Sequence, residues 1–469
     1  MDGTDVAPEG SAASTHPLAY VRRRHGWSYQ DLARVIAEHA RALGVPMAAR
    51  REKVWRWEHW GVVPEADSQR ALARALGIPA REVDARPWPR WLPAHGGMPD
   101  GLPWTAEGSL TALSSVLDDA AADPRGFPIA DEHALLDAIA DWDAAGAEDA
   151  THRGAGRREQ PASVRDGGRA EPSVIDGTAL DWLEAGVTGL RQLDDRLGGA
   201  AVRHRVEADL RLVSGLLRRG LPGHGGRGTE RRLLRVAADL AQLGGWAATD
   251  SGRHGAAQRH YLTGLRLAHS AGDRPLAVAL WGGLVLQSVI ADRPRDAVAA
   301  AEAAVRAAGG AHPLVRALAA SRLARAHAAA GAEGACRRAA AEAERQSAAA
   351  DADPGPSWLY WLDAAELDAQ RGLGLLALGR AAEAMPLLDG ALERQEPSFV
   401  RDRSLYAARA AEAHARSGDR DGALALGREA ARLSRHCGSP RLAAALDSLK
   451  ACLDQAAPQD ARRDRTVIT

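Results

Sequence analysis

Cysteine is scarce in this chain of 469 residues: Cys336, Cys437 and Cys452 are the only three. Odd in number and widely spaced, they exclude a disulfide framework and any CxxC metal or redox site, and they suit a reducing cytoplasm. Long apolar runs are missing too. No stretch approaches the roughly 20 apolar residues of a membrane-spanning helix, so a cytoplasmic protein with no membrane association is expected. The opening MDGTDVAPEGSAAST holds three acids, no base and no apolar core, which is not the pattern of a secretory signal. Residues 1–15 and 456–469 are expected to be a disordered lead and tail. Lysine occurs only as Lys53 and Lys450, and its replacement by arginine carries no functional conclusion. Catalytic signatures are absent as well: there is no GxSxG, HExxH, GxxxxGK[ST], or GxGxxG after a strand, and LPGHGGRG at 221–228 lacks the lysine of a phosphate loop. The 16 histidines are scattered without cysteines or carboxylates at metal-ligand spacing. A protein that is not an enzyme, with no cofactor and no metal, is expected.

A chain this long exceeds what one hydrophobic core organises, so two or three domains are expected. Net charge is only −1, but it is unevenly spread. Between His16 and Leu92 stand 14 Arg or Lys against 8 Asp or Glu, a net +6, whereas the residues beyond Leu92 sum to −4. A basic footprint confined to one small unit suits a polyanion, and the plainer alternative is a solvated basic surface.

Residues 16–92 read as four or five short helices. LAYVRRRHG stops at Gly26, and Ser28 is placed to cap YQDLARVIAEHARAL, whose Leu32, Val35, Ile36, His39 and Leu43 recur at helical spacing before Gly44 and Pro46 end it. A third helix is expected from about Ala48 to His59 and a fourth after Pro64. The proline-rich PWPRWLP, 87–93, is expected to be a stiff exit from this domain. Residues 93–143 carry two further helical patterns and read as a helical connector. Over 144–176 Gly, Arg, Glu and Pro dominate and large apolar residues almost vanish, which predicts a flexible linker. Residues 177–455 read as helix with a degenerate repeat: aligning similar segments on Ala257, Ala297, Ala335, Ala384 and Ala423 gives intervals of 40, 38, 49 and 39 residues, one helical hairpin per repeat. Small Ala and Gly faces let such hairpins stack into a solenoid with a concave surface. An all-α protein is expected throughout.

Chemistry concentrates on the third helix. On a helical projection Met47, Val54 and Trp57 share one face, while Ala48, Glu52, Arg56 and His59 lie opposite. The first face is expected to pack and the second to be free, after a helix and a tight turn. Arg50 and Arg51 add charge at its start, and arginine suits both phosphate and the paired acceptors of guanine. Trp55 and Trp60 are expected to pack against the fourth helix rather than to stack on a sugar edge.

These residues resemble a known family. WSYQDLA at 27–33 looks like the LSQEELA that opens the second helix of Xre-type, phage-repressor-like helix-turn-helix domains, and EKVWRWEHW at 52–60 resembles their STISRWERG, with Trp57 and Glu58 at the family's Trp-Glu. The match covers about 70 residues. It implies double-stranded DNA as partner, with Tyr29 where the family has a phosphate-binding Gln, Arg51, Glu52 and Arg56 at base-reading positions, and Arg50 and Lys53 as phosphate contacts. Two departures stand out: Tyr29 itself, and a longer stretch between the two motifs, which suggests a lengthened second helix.

Beyond this domain, LRQLDD, LAQLGGW, AAQRHY and ALDSLK resemble actinobacterial-type regulators in which such a domain precedes a degenerate tetratricopeptide array. The resemblance implies a transcriptional regulator whose repeats dimerise and sense a peptide, protein or small-molecule effector. Trp246, Tyr261, Trp281, Trp358 and Trp361 are the candidates for lining an effector groove, with interhelical core as their plainer role. A homodimer is expected because a lone helix-turn-helix contacts few bases. The alternative function is a protein-interaction adaptor that acts through its repeats with little or no DNA binding.

Overall fold

The computed structural model of the protein describes residues 16–92, 102–122, 128–130, 132–154, 177–220, 227–350, 353–435 and 437–455. The expected lead and tail, the start of the connector and most of the expected linker lie outside them. The described regular structure is all-helical, with no strand among the described residues. None of its helices is long and apolar enough to cross a membrane. The chain divides into two compact units, one formed by residues 1–97 and 122–131 and the other by residues 98–121 and 132–469.

In the first unit, α1 (Pro17–Arg24), α2 (Tyr29–Ala42), α3 (Arg51–His59), α4 (Ala66–Ala75) and α5 (Ala80–Ala85) follow in order. His16 caps α1 through its ring, which accepts from Leu18 N at 3.1 Å, and Pro17 stands where its missing N–H costs nothing. Ser28 and Asp31 form a reciprocal capping box at the start of α2. Leu18, Leu32, Ile36, Val54, Trp57 and Leu72 make the core on which these helices close. α2 ends at Ala42, and the chain needs Leu43–Arg50 to reach α3, so the expected tight turn is a longer connection. The third helix begins at Arg51 rather than near Ala48; Met47 lies ahead of it and packs on the core. The described part of PWPRWLP, residues 87–92, stays on the domain core. Trp91 and Leu92 are buried in the same core, and the Trp91 indole donates to Gln69 Oε1 at 3.0 Å, because two large apolar side chains cannot stay in water when a core lies within reach.

The second unit opens with α6 (Ala106–Ala122) and α7 (Glu132–Gly154). These are more than a connector. Ser109 Oγ meets Ser270 Oγ at 3.0 Å, Arg306 pairs with Asp143 at 2.9 Å, and Trp142 packs edge-on against both Trp281 and His269. α7 also runs on to Gly154, past Ala144 where the linker was expected to start. α8 (Gly177–Leu197) and α9 (Gly199–Gly220) pair and lead into α10 (Arg227–Asp250).

From there helices pack in consecutive pairs: α10 with α11 (His254–Ala271), α12 (Arg274–Ile290) with α13 (Pro294–Ala307), α14 (Pro313–Ala329) with α15 (Glu333–Ala348), α16 (Ala364–Ala377) with α17 (Ala381–Arg394), and α18 (Val400–Arg416) with α19 (Arg420–Ser434). α20 (Pro440–Gln455) closes the unit on α18 and α19. The repeat residues Ala257, Ala297, Ala384 and Ala423 are all fully buried near the start of a second helix. In the third pair the equivalent buried residue is Cys336, one place after Ala335. The long interval before Ala384 falls between the end of α15 at Ala348 and the start of α16 at Ala364, where residues 353–363 are an inserted segment. Glycine permits the tightest approach. A Cβ on Gly245 would lie 2.5 Å, and one on Gly283 2.4 Å, from the Tyr261 ring, so Tyr261 of α11 is clasped between α10 and α12.

The first helices of the pairs also pack on one another in sequence, α10 on α12, α12 on α14, α14 on α16 and α16 on α18. α18 then packs on α8, so the array closes on itself instead of presenting the open concave face that stacked hairpins predict. Arg401 of α18 makes a buried ion pair with Asp194 of α8, Cys437 Sγ donates to Arg196 O at 3.2 Å, and Ser439 Oγ donates to Asp250 Oδ1 at 2.8 Å.

Candidate functional site

Two sites emerge, one in each unit. The first is α3. Its Val54 and Trp57 are buried, which turns Glu52 and Arg56 outward, while Arg51 is exposed at the first turn and Arg50 just ahead of the helix. Neither Arg50 nor Arg56 has an ion-pair partner among the described residues, whereas Arg51 meets Glu52 at 3.2 Å and Lys53 meets Glu65 at 3.6 Å. Trp55 and Trp60 are 38% and 65% exposed and do not pack away under the fourth helix. Trp55 stacks on His59 with ring centres 4.6 Å apart, and the Arg56 guanidinium lies 5.6 Å over Trp60. Aromatic surface and guanidinium are thus side by side on one exposed ridge.

Tyr29 is placed differently from the other candidates. The Arg22 guanidinium sits 4.0 Å over its ring and binds Glu58 through both carboxylate oxygens, at 2.7 and 3.1 Å. Glu58 is almost wholly buried, with a side chain 2% exposed. Burial together with the neighbouring Glu58 raises the Tyr29 phenol. Tyr29, Arg22 and Glu58 form a polar bolt between α1, α2 and α3 that orients the outward face of α3, and Tyr29 belongs to that bolt.

The second site is a cavity of about 100 Å³ where the helix array closes. α8, α10, α12, α14, α16, α18 and α20 all contribute to its wall, as does the inserted segment 353–363. Of the five aromatic candidates, Trp246, Trp358 and Trp361 line it. Tyr261 and Trp281 do not: both are fully buried, Tyr261 against Gly245 and Gly283 and Trp281 against Trp142.

The wall is dense in charge, nearly all of it paired. Arg401 is held by Asp194, Asp195 and Asp402. Arg441 reaches Asp250 at 3.2 Å and Asp402 at 3.5 Å, and Arg191 is held by Asp239 and by Gln242 Oε1. Both Arg401 and Arg441 lie over the Trp246 ring, at 5.1 and 4.8 Å. Burial pushes the Asp195 carboxyl up to about 6 in spite of Arg401. Burial, reinforced by Asp402, pushes Glu366 up to about 7. Glu366 is satisfied by neutral donors, Tyr406 Oη at 2.6 Å and Gln370 Nε2 at 2.9 Å.

Arg322 stands apart. Its side chain on α14 is buried, burial pulls its guanidinium below the usual arginine value, and Nη1 has no hydrogen-bond partner. It makes no ion pair among the described residues, and its neighbour is the Trp361 ring, 5.4 Å away. Gly282 makes room for it, since a Cβ there would stand 3.3 Å from Arg322 Cγ.

Reading the sequence alone misses the charged wall, although two signals for it exist. LRQLDD and LAQLGGW contain Arg191, Asp194, Asp195, Gln242 and Trp246, and the irregular repeat interval marks the loop that carries Trp358, Tyr360 and Trp361. No family model matches the chain, and no curated sequence matches it.

Proposed function

We propose that the protein is a sequence-specific DNA-binding transcriptional regulator whose second unit binds an effector. The observation that carries this reading is the two-faced α3: Val54 and Trp57 anchor it, and Arg50, Arg51 and Arg56 are exposed. Nine residues of helix span roughly 13 Å, comparable with a major groove about 12 Å wide. Arg51 and Arg56, one helical turn and a residue apart, are the candidates for guanine edges, and Arg50 for a phosphate at the helix N-terminus. The +6 charge of residues 16–92 supplies the sequence-independent attraction.

The effector half of the reading rests on the cavity, a concave site with aromatic walls and convergent polar groups inside a closed helix array. Two copies of the chain would read paired half-sites, and the elution volume with and without operator DNA tests that.

Genome-wide chromatin capture of the tagged protein, wild type against Arg51→Ala plus Arg56→Ala, tests the DNA reading. Discrete peaks that vanish in the double variant support it. Two lost base contacts, at about 1–3 kcal/mol each, predict a loss of about a hundredfold or more in affinity for a captured sequence. Absence of peaks from both proteins across growth conditions overturns the reading and favours an adaptor that acts through its helical pairs.

A further inference from the structure

We propose that the cavity binds a small carboxylate bearing a single flat ring, with Arg322 as its anchor and the indoles of Trp358 and Trp361 as its ring contacts. This deepens the effector half of the proposed function and stands independently of the DNA half.

Three of the four wall arginines, Arg191, Arg401 and Arg441, are neutralised by acids of this chain. The fourth, Arg322, is buried and makes no direct ion pair: Glu366 attracts it only at a distance, its oxygens being turned to Tyr406 and Gln370. A buried guanidinium without an anion is costly. It persists where a ligand completes it, and the planar guanidinium fork matches a carboxylate with two parallel hydrogen bonds.

The remainder of the ligand follows from the other walls. Trp358 and Trp361 are half-buried on the inserted loop, and Leu243, Leu286 and Leu318 add aliphatic surface. Flat apolar rings pack well against indole. The cavity's space of about 100 Å³, somewhat less than the roughly 150 Å³ engineered cavity that accepts benzene, suits one ring rather than a larger ring system.

The test uses the full-length protein in calorimetric titrations with a matched set of probes: benzoate, phenylacetate and 4-hydroxybenzoate, their neutral amides, and acetate and inorganic phosphate as ringless anions. At least one aromatic carboxylate is expected to bind, with its amide and the ringless anions at least about tenfold weaker, the lower bound for losing one charge-assisted hydrogen bond. Arg322→Gln is expected to abolish the preference for carboxylate over amide, and Trp361→Leu to weaken the ringed probes without restoring binding of acetate. The wild-type comparison of acid with amide does not depend on the folding of any variant. Equal binding of acid and amide, a preference that survives Arg322→Gln, or no binding of any probe at millimolar concentration overturns the proposal. The titrations contain no DNA, and Arg51→Ala plus Arg56→Ala is expected to leave them unchanged, so failure of the DNA reading and failure of this one give different results.

Discussion

Removal of Arg401 deprives three acids of a shared guanidinium at the closure of the second unit. The Arg401 side chain is 4% exposed, that of Asp194 is 3% exposed, and Asp195 and Asp402 share the same guanidinium. Burial opposes the charged form of Arg401, but the surrounding acids outweigh it and raise its guanidinium well above the usual value. Arg401→Met keeps much of the volume and removes the charge, which strands Asp194 in the interior. Breaking one side of a buried pair costs about 3–5 kcal/mol, and at about 2 °C per kcal/mol for a large unit the expected fall in Tm is about 6–10 °C. Differential scanning calorimetry of the full-length protein measures it.

The deficit carries a pH signature. Burial already raises Asp194 and Asp195, and loss of Arg401 raises them further. A carboxyl whose folded pKa exceeds its unfolded value binds more protons when folded, so acid relieves it. The variant is therefore expected to lie furthest below wild type near pH 8 and to recover as pH falls toward 5. Adding Asp194→Asn to Arg401→Met is expected to restore part of the loss, because the stranded charge goes with it. A fall in Tm under about 2 °C, or a deficit that grows in acid, would refute the account of Arg401 as the charge that closes the array.

Three further outcomes are expected. Gly283→Ala places a methyl group 2.4 Å from the wholly buried Tyr261 ring, for an overpacking loss of about 1–3 kcal/mol; the same change at Gly310, where a Cβ meets nothing within 4 Å, costs only the strain of its positive φ, and thermal melts rank the two. Arg22→Ala leaves the buried Glu58 carboxylate without its fork, and about 1.5–3 kcal/mol of first-unit stability is expected to go, read as a lower urea midpoint. His414 sits between Asp419 at 2.6 Å and Asp389 at 2.9 Å; burial works against its charged form, yet the two carboxylates outweigh it and raise the imidazole. Its stabilisation is full below the unfolded value of about 6.5 and is lost as pH rises through the raised folded value, so His414→Gln is expected to flatten the stability profile across that window.

Much of the fold is legible because helices announce themselves locally. The Ser28–Asp31 cap, the glycine stop after α1 and the spacing of Leu32 and Ile36 are written within a few residues of one another, and α2 follows them. The outward face of α3 is legible for the same reason: Val54 and Trp57 are three residues apart, so burying one side exposes Glu52 and Arg56 on the other, while Arg51 is exposed at the helix's first turn. Only its start is misplaced, since the sequence around Ala48 carries no cap that halts the pattern. Trp55 and Trp60 show the limit of such reasoning, because a large aromatic argues for burial and these two lie on a ridge with no core beneath them.

What the sequence by itself determined is therefore local: an all-helical chain, a small basic unit at its start, and a repeating pair of helices with a small buried residue near the start of each second helix. Tertiary structure decided the rest. Asp194 and Arg401 are 207 residues apart in the chain, and no periodicity links them; they meet because the first helices pack one on the next from α10 to α18, and α18 packs on α8. That closure turns an expected groove into a cavity, sends Trp246, Trp358 and Trp361 to its wall and Tyr261 and Trp281 to the core, and leaves Arg322 as the one wall arginine without a direct ion pair. The physical reason is one of range. Hydrogen bonding and helical periodicity act over a turn or two of chain, whereas the balance of buried charge is settled only when distant helices arrive.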